Sequence, residues 1–241
     1  MEYAVVFFGA LIADFAGAVI GFGGATVLTP IVLMVFDFKT ALPLVAVSHI
    51  LSNLARVRVY RDVDWKLAAA FIVPGMLASV FGAALAVRLP QQVFLGIFGG
   101  FLSVFALVAW VRPSVQAPRG GKSAVVGGLL YGLTAGLVGT AGAVRSAFLT
   151  TYTMSKEAYI ATSAMIAIAA DAARLPVYLS AGADAGTIGR NLPGLVVAAV
   201  AGTILGKKLV QSLSAKAFRG IILAALFAFG IGFVYRGIVS P

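Results

Sequence analysis

Apolar stretches occupy residues 3–20, 25–36, 41–57, 66–87, 91–111, 123–138, 143–153, 158–179, 187–209 and 217–235, with only short polar gaps between most of them. A membrane-spanning helix needs about 20 mostly apolar residues, with a lower limit near 17. Most of the stretches meet that requirement, and together they leave no room for a separate water-soluble domain. Inside lipid only helices and closed barrels satisfy every backbone polar group, so the chain is expected to be an all-α polytopic membrane protein of about eight to ten segments. Composition agrees: 61% of the 241 residues are apolar and 11% are charged, where an ordinary soluble domain carries about 25% charged residues. The absence of cysteine removes disulfides, thiolate metal sites and cysteine nucleophiles together. No basic residue precedes the first stretch, which therefore reads as a retained helix and not a cleaved signal.

Two stretches, 25–36 and 143–153, are too short to span. Both follow glycine clusters: Gly21, Gly23 and Gly24 before the first, Gly139 and Gly142 before the second. They belong to an internal repeat. With Gly24 set against Gly142, residues 50–60 fall on residues 168–178 without a gap, and five of the eleven pairs are identical, among them Arg56 with Arg174 and Tyr60 with Tyr178. Pro74-Gly75 further on matches Pro193-Gly194. Chance likeness between apolar stretches would match Ala, Leu and Val, not Arg, Tyr and Pro-Gly. The expected organisation is a first transmembrane repeat over 1–111, a cytoplasmic linker over 112–122 and a second repeat over 123–241.

The chain carries 18 Lys and Arg against 8 Asp and Glu, a net charge of +10. In a soluble protein this excess would point to nucleic acid. Here the bases sit mainly in the gaps, in three clusters: Arg58, Arg61 and Lys66; Arg112, Arg119 and Lys122; and Lys207, Lys208 and Lys216. Positive-inside topology explains them, with no nucleic-acid partner. Placing all three clusters on the cytoplasmic side puts the 181–191 loop outside, which gives each half an odd number of crossings and inverts one half relative to the other. Two inverted-topology helical repeats, each with a short broken or re-entrant helix, are the sequence pointer to a secondary transporter with a midplane site.

Backbone N–H groups at the start of a short helix, together with its dipole, favour an anion. The groups expected to supply them are Gly23, Gly24, Ala25, Gly142 and Ala143. The upstream glycines Gly9, Gly17, Gly128, Gly132 and Gly136 follow the small-xxx-small spacing of close helix contacts and are read as helix contacts. Three arginines fall inside apolar stretches: Arg56, Arg145 and Arg174. Such a residue costs several kcal/mol unless solvated, paired or snorkelling, so it usually marks a pathway. Arg56 lies close enough to a basic loop to snorkel. Asp171 lies three residues before Arg174, on the same helix face, and is either its salt partner or a substrate contact, with Asn53 in the matching place of the first half. Asp14 and His49 are the groups available for proton coupling; Asp14 equally serves to neutralise an arginine, and His49 equally reads as a hydrogen-bonded interior histidine. No HExxH, GxSxG or phosphate-loop pattern supports an enzyme or an ATP-driven pump. No metal and no cofactor is expected.

The GFGGATVLTP stretch over 21–30, its echo GTAGAVRSAFL over 139–149, the duplication and the length resemble the TauE/SafE sulfite exporter family of membrane permeases. The resemblance covers essentially the whole chain and implies export of sulfite or a related small sulfur-containing organic anion. The echo departs from the first copy: it lacks the proline and carries Arg145. The expected function is a plasma-membrane carrier that exports a small anion by alternating access. The alternatives are a passive anion channel or a carrier of small carboxylates. The expected partners are the anion and the bilayer, and the sequence is compatible with a homo-oligomer.

Overall fold

The computed structural model describes residues 2–20, 24–112, 121–209 and 215–239. Among them the apolar stretches become α1 (Glu2–Ile20), α2 (Ala25–Val32), α3 (Phe38–Tyr60), α4 (Trp65–Ala86), α5 (Gln91–Val111), α6 (Gly121–Val138), α7 (Gly142–Leu149), α8 (Lys156–Ser180), α9 (Ala185–Leu209) and α10 (Ala215–Val239), with no strand. Six of these helices are long and apolar enough to cross a membrane. At 1.5 Å per residue, the eight residues of α2 and of α7 reach about 12 Å, well short of a hydrocarbon core of about 30 Å. Both end sooner than their apolar stretches. The remaining residues close tighter turns, Val35 N–H to Val32 C=O at 3.0 Å in the first and Tyr152 N–H to Leu149 C=O at 3.1 Å in the second.

Capping residues then restart the chain. Asp37 accepts from the Thr40 N–H at the head of α3, and Ser155 accepts from the Ala158 N–H at the head of α8, each at 3.0 Å. These caps stand at the same offset that sets Gly24 against Gly142.

The main helix contacts also come in exchangeable pairs. α3 lies on α8 and α5 on α10; α1 on α9 matches α6 on α4; α3 on α9 matches α8 on α4; α1 on α2 matches α6 on α7. α3 and α8 are central, and among the described residues most of the buried polar side chains belong to them, to the two short helices and to the second break. Outward-facing apolar residues such as Leu77 and Phe81 on α4, Leu107 and Trp110 on α5 and Ile231 and Ile238 on α10 are exposed, and hydrocarbon solvates such a surface.

Two of the paired seams differ in closeness. Along α4 and α6, a Cβ added to Gly128, Gly132 or Gly136 would fall inside 3.0 Å of the carbonyl oxygens of Phe71, Gly75 and Ser79, nearer than real Cβ atoms come. Bare backbone meets backbone there, and dispersion across the contact holds the helices without a hydrophobic driving force. The equivalent seam of α1 and α9 is made by side chains. A Cβ on Gly194 would meet only Phe7, at 3.6 Å, and Gly202 faces the Asp14 side chain. A cavity of about 390 Å³ remains between the first turns of these two helices, lined by Tyr3, Phe7, Arg190, Asn191 and Gly194 among others.

Candidate functional site

The second break forms where Gly139 takes φ +81°, a left-handed value open to glycine without strain. Its N–H caps α6 by bonding the Ala135 C=O at 2.9 Å. Its own carbonyl turns inward and accepts from Arg174 Nη2 at 3.1 Å. Thr140 follows, and its hydroxyl bonds the Thr26 hydroxyl of α2 at 2.7 Å. The two breaks therefore meet in the interior.

Arg174 is fully engaged by protein. Its Nε and Nη2 donate to Asp171 Oδ1 at 3.0 and 2.6 Å, Nη1 donates to the Ala135 carbonyl and the Tyr178 hydroxyl, and Tyr178 in turn donates to the Gly136 carbonyl. The Gly136 and Gly139 carbonyls at the end of α6 find their donors this way, and the Ala135 carbonyl, already bonded to the Gly139 N–H, gains a second. Asp171 uses its other oxygen, Oδ2, toward Nδ1 of His49 at 2.7 Å, which ties α8 to α3. Asp171 thus serves as the salt partner of Arg174 and as a link between the halves at once.

Arg56 is held more loosely. Its contacts to Asp14 Oδ1 and Asn53 Oδ1 are both 3.4 Å. Asn53 donates to the His49 carbonyl at 2.7 Å, and Asp14 accepts from the Ser52 hydroxyl at 2.6 Å. Asp14 is seated by glycines on two sides: a Cβ on Gly24 would lie 3.1 Å from its carboxylate, and one on Gly202 would lie 2.6 Å from its Cβ. Asp14 therefore does pair an arginine.

Arg145, in the first turns of α7, differs from both. It is 3% exposed. Nη1 donates to the Tyr131 hydroxyl at 3.1 Å and the guanidinium stacks 5.1 Å over the Tyr131 ring. Its Nε is buried without a partner, and among the described residues no carboxylate pairs with it. The other unpartnered atom of this cluster is His49 Nε2. The charges of Asp171, Arg145 and Arg56 all reach His49. Two buried guanidiniums, Arg145 and Arg174, and the partly buried Arg56 thus stand against the two buried carboxylates of Asp14 and Asp171.

Of the residues expected from sequence, Gly24 and Ala25 begin α2 and are buried, Gly142 and Ala143 begin α7, and Asn53, Arg56, Asp171 and Arg174 join one polar network with Asp14 and His49. Gly23 lies outside the described residues. Tyr178 and Ser52 belong to the same network, Tyr131 bonds Arg145 and Thr26 bonds Thr140 beside it, and sequence reasoning placed none of these five at the site. Tyr178 had a visible signal in its match to Tyr60; the threonines had only their position beside the glycine clusters.

A polytopic helical bundle with two short helices and buried cations at its centre has the build of a membrane transporter. The sequence model for sulfite exporter TauE/SafE matches residues 6–233, and the chain belongs to that family. Neither a curated protein nor a solved structure matches it.

Proposed function

We propose that the protein is a secondary transporter of the plasma (inner) membrane that exports a small anion, such as sulfite or an organosulfonate, by alternating access between two inverted halves covering 1–111 and 123–241. The observation that carries this reading is Arg145. A buried guanidinium with no carboxylate leaves one net positive charge beside the start of α7, and a charge in that position is costly unless an anion completes it. The N–H groups of Gly142 and Ala143 on one side and of Gly24 and Ala25 on the other supply uncharged donors to the same anion. Arg174 and Asp171 fix the break, and Arg56 and Asn53 complete the wall on the first half. Alternation draws support from the two equivalent seams, one closed along α4 and α6 and the other holding a cavity between α1 and α9. The chemistry required is desolvation and charge pairing, with no bond made or broken, and the reading is of a carrier, not an enzyme.

Counterflow tests it. Proteoliposomes loaded with unlabelled sulfite should accumulate labelled sulfite transiently, and Arg145→Gln should lose most of that accumulation while eluting as a folded, monodisperse species. Uptake that neither saturates nor shows counterflow would mean a channel. Arg145→Gln working like the parent would overturn the site.

A further inference from the structure

His49 and Arg145 come from different halves, yet each leaves one buried nitrogen unpaired, Nε2 and Nε respectively. The chemistry of the His49 ring follows from its neighbours. Arg174 takes Asp171 Oδ1 through two nitrogens at 3.0 and 2.6 Å, which keeps that carboxylate ionised and able only to accept. The 2.7 Å contact at Oδ2 must then be Nδ1–H donating to Asp171. In the neutral ring this leaves Nε2 with a bare lone pair, and adding a proton turns Nε2 into a donor.

The groups around His49 are Arg56 on its own helix, Asp171 and Arg174 on α8, Arg145 on α7, Tyr131 on α6 and Asp14 on α1; α2 contributes no titratable side chain, and α9 has only Arg190 near its start and Lys207 and Lys208 near its end. The three arginines and two aspartates sum to one positive charge with the ring neutral and two with the ring protonated.

Resting on the anion-carrier reading above, we infer that His49 and Arg145 form a charge-adjusting anion seat: a monoanion docks with His49 neutral, whereas a dianion docks only together with a proton on Nε2. Asp171 is the positioning residue that holds the proton on Nδ1 and so reserves Nε2 for the ligand. The seat then takes small oxyanions of either charge, and the substrate's own charge decides whether a proton travels with it.

Two probes with fixed charge isolate the effect. Sulfate is a dianion and methanesulfonate a monoanion throughout pH 5.5–8. Ligand-induced thermal stabilisation and calorimetry on the purified full-length protein should show sulfate affinity rising by up to about tenfold per pH unit on acidification, the limit for one linked proton. Methanesulfonate affinity should change less than about twofold. His49→Gln should bind sulfate weakly and without pH dependence, and Asp171→Asn should shift the sulfate pH profile. Equal pH dependence for the two anions, or a sulfate profile unchanged in His49→Gln, overturns the inference and leaves the carrier intact. If neither probe nor sulfite binds at any pH, the anion-carrier reading itself fails. If His49→Gln does not fold, the contrast between the two probes on the parent protein decides the matter.

Discussion

Arg174→Met should unfold the second break before it affects anything else. The side chain is 1% exposed, pairs with Asp171 and satisfies the carbonyls of Ala135 and Gly139. Methionine keeps the length and apolar bulk of the side chain but leaves a buried carboxylate whose remaining partner is the His49 ring. Removing one member of a buried pair typically costs about 3–5 kcal/mol, because the other charge stays buried and uncompensated. The Gly139 carbonyl, left without its donor, adds about 1–3 kcal/mol when no water reaches it, whereas the Ala135 carbonyl keeps the Gly139 N–H. Adding Asp171→Asn to Arg174→Met removes the stranded charge and should recover about half of the pair's contribution, since neutral replacements of buried pairs are often near neutral overall. The assay is fluorescence-detected unfolding of detergent-solubilised protein, by heat and by denaturing detergent, for the parent, both single variants and the double variant. A single Arg174→Met variant as stable as the parent, or a double variant no better than the single, would refute the account of the pair as the clamp on the break.

Along α4 and α6, Gly132→Ala should lower the unfolding temperature in the same assay by the equivalent of about 1–3 kcal/mol, the usual range for overpacking. Gly100→Ala, with nothing within 4 Å of the new methyl, should leave it unchanged, and equal effects would deny that the seam is a backbone contact. The chain has no cysteine, so Thr26→Cys with Thr140→Cys introduces a single pair where the two hydroxyls now stand 2.7 Å apart. Oxidation should stop methanesulfonate counterflow and reduction restore it; flux that is indifferent to the cross-link would mean that the breaks need not separate. Asp184 accepts from the Thr187 N–H at 3.1 Å and from its hydroxyl at 2.6 Å at the head of α9, and these bonds hold its carboxyl below the usual carboxylate range. A depressed carboxylate contributes stability that is present above its unfolded value, near pH 4, and is lost as pH falls through the folded value. Asp184→Ala should therefore speed amide exchange at Thr187 and Ile188 at pH 7, after correction for intrinsic rates, whereas the parent should show that loss only below about pH 4. Unchanged exchange in the variant would deny the cap.

Much of the architecture was readable because its causes are local. Stretch length identified the two short helices, and register identified Arg56 with Arg174. The small-xxx-small spacing of Gly128, Gly132 and Gly136 marked a close contact, which α6 makes with α4. The spacing of Asp171 and Arg174 placed them on one face, where they pair. The bonds from His49 to Asp171 and from Asp14 to Arg56 and Ser52 were not readable, nor was the Tyr131 hydroxyl under Arg145. Each joins distant helices, and such a bond depends on how every helix is rotated about its own axis. A soluble helix announces that rotation through an apolar stripe, whereas a helix that is apolar on all sides carries almost no phase signal. Polar residues in the central helices gave the candidates but not their pairing.

The glycine seam has a consequence for the energy of the empty protein. The repeat register sets Gly128, Gly132 and Gly136 of α6 against Ala10, Asp14 and Ala18 of α1. The α1 and α9 seam cannot close backbone to backbone as α4 and α6 do, since Asp14 occupies the place of Gly132. For a carrier that alternates, the two end states are then not mirror images, and no symmetry holds them at equal free energy. Such a carrier would rest, unloaded, facing one side of the membrane more than the other, and that preference would set how readily it captures anion from each face. The direction of net flux still belongs to the gradients.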